Sequence, residues 1–143
     1  MTLTIVKSRQ ARQEWRDMLD KVQAGEDVFD LLFRFYNGAY QMRAVVVGNN
    51  LLYYYTSWYT LTDNQHYVEI DWQAASAPEV NDGYLSLWID GVLKQTRSGI
   101  NNDTRRVESV HLGPWLGIDS GTRGTYYIDA FESHRQTPIG PEP

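Results

Sequence analysis

The chain has 143 residues, a formal net charge of -5 and no cysteine, which allows one domain with a buried core and excludes disulfides and thiolate chemistry. Hydrophobic residues make up 42% and charged residues 22% of it, the balance of a globular protein rather than a disordered one. The acidic surplus disfavours non-specific attraction to nucleic acid over the whole surface. Residues 1–27 hold no apolar run long enough for a signal peptide or a membrane span, so the sequence as written reads as cytoplasmic, with no membrane partner.

In chain order, Leu3-Thr4-Ile5-Val6 is a short β-like run. Ala11, Trp15, Met18, Leu19 and Val22 then recur at steps of three and four, an apolar stripe that predicts one α-helix over about 8–24. Ser8 suits its N-cap and Gly25 its left-handed C-cap. Beyond Gly25-Glu26-Asp27 the apolar period changes to two. Strands are predicted over Leu32–Tyr36, Tyr40–Val47 and Leu51–Tyr59, with turn signals at Asn37-Gly38 and Gly48-Asn49-Asn50.

The run His66–Trp72 puts Val68, Ile70 and Trp72 on one face and Tyr67, Glu69 and Asp71 on the other. Leu85, Leu87 and Ile89 alternate with Ser86 and Trp88, and Asp90-Gly91 is a hairpin signal leading into Val92-Leu93. Val107, Val110 and Leu112 suggest one more strand, and Thr125–Ser133 the last. Short strands separated by turns point to a mainly β chain: an antiparallel β-sandwich with one N-terminal helix. The expected organisation is a strand–helix segment over 1–28, a sandwich domain over 29–140 and a tail over 141–143.

The segments Tyr67–Trp72 (YVEIDW), Gly83–Gly91 (GYLSLWIDG), Asn102–Val107 (NDTRRV) and Gly121–Ser133 (GTRGTYYIDAFES) resemble bacterial concanavalin A-like or laminin-G-like jelly-roll domains. That resemblance covers about residues 30–140, and the first strands of such a domain are missing from it. It implies a lectin-like jelly roll of a kind usually exported or displayed at the cell surface. Residues 1–29, through Val6–Arg12 (VKSRQAR) and Met18–Val28 (MLDKVQAGEDV), resemble the start of prevent-host-death-type antitoxins, a family whose opening segment helps form a DNA-reading homodimer. A sandwich without its first strands exposes a sheet edge, which either the helix or a second copy of the chain would cover.

Enzymatic chemistry is tested first by Glu69-Ile70-Asp71-Trp72-Gln73. It is similar to the Glu-x-Asp-x-Glu strand of retaining β-glucanases, whose last carboxylate protonates the leaving oxygen. Here that position is Gln73, an amide with no proton to give, and losing a general acid costs a factor of roughly a hundred or more. No hydrolase is expected. Asp103, Asp119 and Asp129 are oxygen donors of the kind calcium uses, without an Asp-x-Asp-x-Asp loop; calcium is the one cofactor they suggest. Of Arg105 and Arg106, one is expected to fix a loop by pairing with an acidic neighbour. His66, His111 and His134 share no ligand spacing.

Two binding readings remain. Aromatic rings stack on sugars, and with 10 Tyr and 5 Trp the leading reading is a non-catalytic carbohydrate-binding or surface-interaction module. Its platform would be Tyr54, Trp58, Tyr84 and Trp88, with polar help from Glu69 and Asp71. The other is a dimeric, DNA-binding antitoxin-like regulator acting through Lys7, Arg9, Arg12 and Arg16, with the sandwich as an acquired tail. A third leaves the chain a fusion or fragment without a selected activity.

Overall fold

The computed structural model describes residues 2–6, 27–113, 118, 120–123 and 125–134, with the backbone alone for 2–6, 129 and 130. The expected helix over 8–24 and the tail over 141–143 lie outside the described residues. Among those described there are nine strands and no helix. They are β1 (Thr2–Val6), β2 (Phe29–Tyr36), β3 (Ala39–Val47), β4 (Tyr53–Tyr55), β5 (Tyr59–Leu61), β6 (Tyr67–Gln73), β7 (Gly83–Ile89), β8 (Val92–Ile100) and β9 (Asp129–His134).

Two antiparallel sheets result. Sheet A runs β8-β7-β6-β1-β9, and sheet B runs β2-β3-β4, with β5 also paired to β3. Both two-residue hairpins follow from turn chemistry. Asn37 and Gly38 have φ of 50° and 80°, Asp90 and Gly91 of 54° and 73°. Positive φ at both central positions is the type I′ geometry that matches strand twist. It fixes Tyr36 opposite Ala39, from which the whole β2–β3 pairing follows, and Ile89 opposite Val92, after which the β7–β8 register shifts between Trp88 and Leu87 and again between Leu85 and Gly83.

The alternation within strands decides what is buried. Val68, Ile70 and Trp72 of β6 and Leu85, Leu87 and Ile89 of β7 pack in one cluster with Met42, Ala44 and Val46 of β3, Leu61 of β5 and Ile100 of β8. Phe29 of sheet B meets Trp72 of sheet A with ring centroids 6.1 Å apart. The two sheets therefore share one apolar core, in a sandwich-like arrangement, and each valine, leucine, isoleucine or methionine side chain fully removed from water contributes about 1.5–3 kcal/mol.

Three expected elements come out differently. The single strand over Leu51–Tyr59 is divided into β4 and β5, because Thr56 takes over the ladder at that point. Its Oγ1 accepts the Ala44 N–H at 2.9 Å and its own N–H donates to the Ala44 carbonyl at 3.0 Å. Tyr55 stands opposite Val45, yet Tyr59 stands opposite Met42, so one extra residue is accommodated between them, as in a β-bulge. No strand forms over 107–112. Val107 packs against the core while Val110 and Leu112 are exposed, and the step of three from Val107 to Val110 cannot keep one face of a strand. The last strand begins at Asp129, not Thr125.

Strand β1, read from sequence as part of a separate leading segment, is an interior strand of sheet A. Thr2–Val6 pair with Asp71–Tyr67 on one side and with the Asp129–His134 strand on the other.

Candidate functional site

The outer face of sheet A, opposite the core, carries four of the expected site residues. Pairing sets Glu69 opposite Trp88, Asp71 opposite Ser86 and Gln73 opposite Tyr84. Directly paired residues point to the same side of an antiparallel sheet, and their neighbours Val68, Ile70, Leu85 and Leu87 all face the core. Tyr84 and Trp88 are four residues apart on β7, a separation of roughly 13 Å at the rise of a strand.

Between the two rings lies a polar row. The Tyr84 hydroxyl donates to Asp71 Oδ2 at 3.2 Å. Partial burial, with the Asp71 charge behind it, pushes the phenol pKa above its ordinary value of 10.0. Tyr84 is thus held as a neutral donor with its ring fixed in place. The hydroxyls of Ser86 and Thr96 are hydrogen-bonded to each other, Oγ to Oγ1 at 2.7 Å, which continues the row onto β8. Glu69, Asp71, Tyr84 and Trp88 are all half-buried, the setting for flat rings flanked by anchored polar groups. Gln73 shares the face with Glu69 and Asp71, so the would-be general-acid position of the glucanase-like strand holds an amide beside two carboxylates.

Tyr54 and Trp58 are elsewhere. Tyr54 points into the shared core from sheet B. Trp58 lies on the far face of sheet B, against the guanidinium groups of Arg34 (3.9 Å) and Arg43 (4.4 Å). The six expected carbohydrate residues therefore do not form one platform: four share sheet A, and two are separated from them by the core.

That far face of sheet B was not read from the sequence. It carries a row in which Arg34 lies over Tyr36, both Arg34 and Arg43 pack on Trp58, and Arg43 lies over Tyr55. Tyr55 in turn stacks on Tyr53, with ring centroids 6.3 Å apart. A sequence signal existed. Once Asn37-Gly38 is accepted as a two-residue turn, Arg34 must face Gln41 and Leu32 must face Arg43, which puts both cations on one side.

Asp103 is engaged by the protein itself. Asn49 Nδ2 donates to Asp103 Oδ1 (2.6 Å) and to Asn101 Oδ1 (2.9 Å), and Asn49 Oδ1 accepts from Thr104 Oγ1 at 2.6 Å. Arg105 donates to the Gly48 carbonyl at 2.9 Å and so helps to fix this loop. The cluster ties the end of β3 to the segment after β8. Asp119 and the Asp129 side chain lie outside the described residues, as do Lys7, Arg9, Arg12 and Arg16. Among the described residues no group of three or more His, Cys, Asp or Glu is close enough to hold a metal, and no helix is long and apolar enough to cross a membrane.

The structure also joins Thr62, His66 and Asp90. His66 Nδ1 is 2.7 Å from Asp90 Oδ2 and its Nε2 is 2.9 Å from Thr62 Oγ1. Nε2 also lies 3.2 Å from the Thr62 carbonyl, and Asp90 Oδ1 accepts the Tyr67 N–H at 2.9 Å. This set bolts the β5–β6 connection to the β7–β8 turn. No family model, curated protein or solved structure matches the chain.

Proposed function

We propose that the chain is a non-catalytic, lectin-like binding module that lays a carbohydrate across the outer face of sheet A. With it goes the finer reading of the fold as a lectin or laminin-G-like jelly roll. The observation that carries the proposal is the Tyr84–Trp88 pair on one strand face, with the Asp71-anchored phenol and the Ser86 and Glu69 positions between and beside the rings. Two rings in line offer apolar faces for two sugar units of one extended chain, and carboxylates and hydroxyls accept and donate to sugar hydroxyls between them. Gln73 in the proton-donor position supports binding without cleavage.

Electrophoresis through gels containing neutral polysaccharides tests this. Wild type should be retarded by at least one of them, and Tyr84→Ala or Trp88→Ala should each weaken retardation roughly tenfold, the usual weight of a ring at the centre of a contact. No retardation in any gel, or unchanged retardation in the folded double variant, overturns the proposal. Release of new reducing ends from the polymer overturns its non-catalytic part.

A further inference from the structure

We infer that the far face of sheet B is a second ligand site, which takes the carboxylate of an acidic, uronate-containing polysaccharide on Arg34. The choice of a polysaccharide rests on the carbohydrate reading above; the site itself rests on separate observations.

Arg34 sits on β2, three residues before Asn37 of the Asn37-Gly38 turn, and is held from three directions. Its Nε donates to Gln41 Oε1 at 2.7 Å. Its guanidinium packs on Tyr36 at 4.6 Å and on Trp58 at 3.9 Å from the ring centroids. What remains is the pair of Nη groups. No carboxylate lies within ion-pair reach of Arg34 among the described residues, and the Nε bond to Gln41 is its one hydrogen bond there. Among the described residues this arginine is half-buried, packed against two rings and without a carboxylate partner. Its planar fork matches a carboxylate in two parallel hydrogen bonds, and the rotamer entropy that such a bond ordinarily costs is already lost in the folded protein.

The surroundings favour an acidic sugar over a bare anion. Tyr36, 59% exposed, offers an open ring beside the fork, where a pyranose can stack while its carboxylate meets the Nη groups. Trp58 and the Arg43–Tyr55–Tyr53 row extend the same face. The chain as a whole carries -5, so its average field repels a polyanion. Attraction has to come from a local feature such as this one.

The test uses the whole chain in gels containing polygalacturonate or its fully methyl-esterified form. Wild type should be retarded by the acid polymer and much less by the ester. Arg34→Ala should weaken the acid interaction roughly tenfold or more, the range for a hydrogen bond to a charged group. Arg34→Lys, which keeps the charge and loses the fork, should fall with it. Both variants should keep the wild-type response to neutral polysaccharides, which also shows that they fold, and Trp88→Ala should keep the response to polygalacturonate.

Equal retardation by acid and ester, or wild-type binding by folded Arg34→Ala, overturns the inference. So does equally tight binding of polyglutamate, which would make the ligand an acidic peptide. Retardation by neutral polymers alone overturns this inference and leaves the sheet A proposal standing; no retardation by any polymer overturns both.

Discussion

Asn102 is fully buried, and its amide does the work of a strand end. Oδ1 accepts the Ala75 N–H at 2.7 Å, and Nδ2 points to the Gln73 carbonyl at 3.5 Å. The space for it exists because position 83 is glycine: a Cβ there would lie 2.0 Å from Asn102 Oδ1 and 2.7 Å from the Ile100 carbonyl. Gly83→Ala should therefore destabilise the fold by about 3 kcal/mol, since neither the backbone nor a buried amide yields cheaply. Urea unfolding that shows no loss would remove this account. Asp30 supplies a second residue-scale test. Burial beside Val45 and Leu32, with the Asp27 charge adding to it, pushes its carboxyl from 3.8 up to about 7. Because the folded state holds this proton more tightly than the unfolded one, stability falls as pH rises from about 4 to about 7. Above that window the cost is complete, about 4 kcal/mol at most. Asp30→Asn should be the more stable protein at pH 8, and its advantage should shrink toward pH 4. Melting temperatures of both proteins across that range decide it. Neither site was legible in the sequence. Each depends on segments that meet only in the folded chain, at 75, 83 and 102 or at 27, 30 and 45.

At the scale of elements, strands with one apolar face were readable and strands defined by their neighbours were not. The rows Val68/Ile70/Trp72 and Leu85/Leu87/Ile89 had the period of two and are buried as that period requires. Strand β8 continues to Ile100 through Lys94, Gln95, Thr96, Arg97 and Ser98. At the edge of sheet A it needs no apolar alternation, because pairing with β7 and hydrogen bonds from the Ser57 N–H and the Tyr59 hydroxyl to Gln95 and Lys94 hold it. The division between β4 and β5 was hidden for the opposite reason: a run rich in tyrosine read as one strand, and only the Thr56 hydroxyl bonded to Ala44 interrupts it. The β7–β8 hairpin was legible in Asp90-Gly91, but not the second duty of Asp90. Its carboxylate also holds the Tyr67 N–H and His66. Asp90→Ala should cost about 1–3 kcal/mol through those lost bonds and should speed amide exchange at Tyr67. If exchange there is unchanged, the hairpin does not depend on this contact.

For the whole molecule, the shared core separates two faces of unlike chemistry, and that of sheet B is itself closed over Leu32, Val45 and Val47, leaving Tyr36 by the β2–β3 turn as its exposed ring. One carries Glu69, Asp71 and two aromatic rings; the other carries two arginines among four rings. The two-sheet plan was legible from alternation, but the partition of Tyr54, Trp58, Tyr84 and Trp88 between faces was not, because inside and outside are defined only once the opposing sheet is known. Sheet A also depends on β1, whose place between β6 and β9 could not be read from five residues of weak pattern. Removing residues 1–6 should detach β9 and expose the side of β6. We expect a lower melting temperature and a broader transition, and an unaltered sharp melt would contradict the pairing described.

The adjacency of β1 and β9 has a temporal side. Strand β1 has its partner on one side more than 120 positions later, since Val6 is matched with Asp129. At about 5–20 residues per second, a ribosome needs on the order of ten seconds to supply that partner. Throughout synthesis sheet A is thus missing a member, and a nascent chain with one bare strand margin is a natural client for a chaperone.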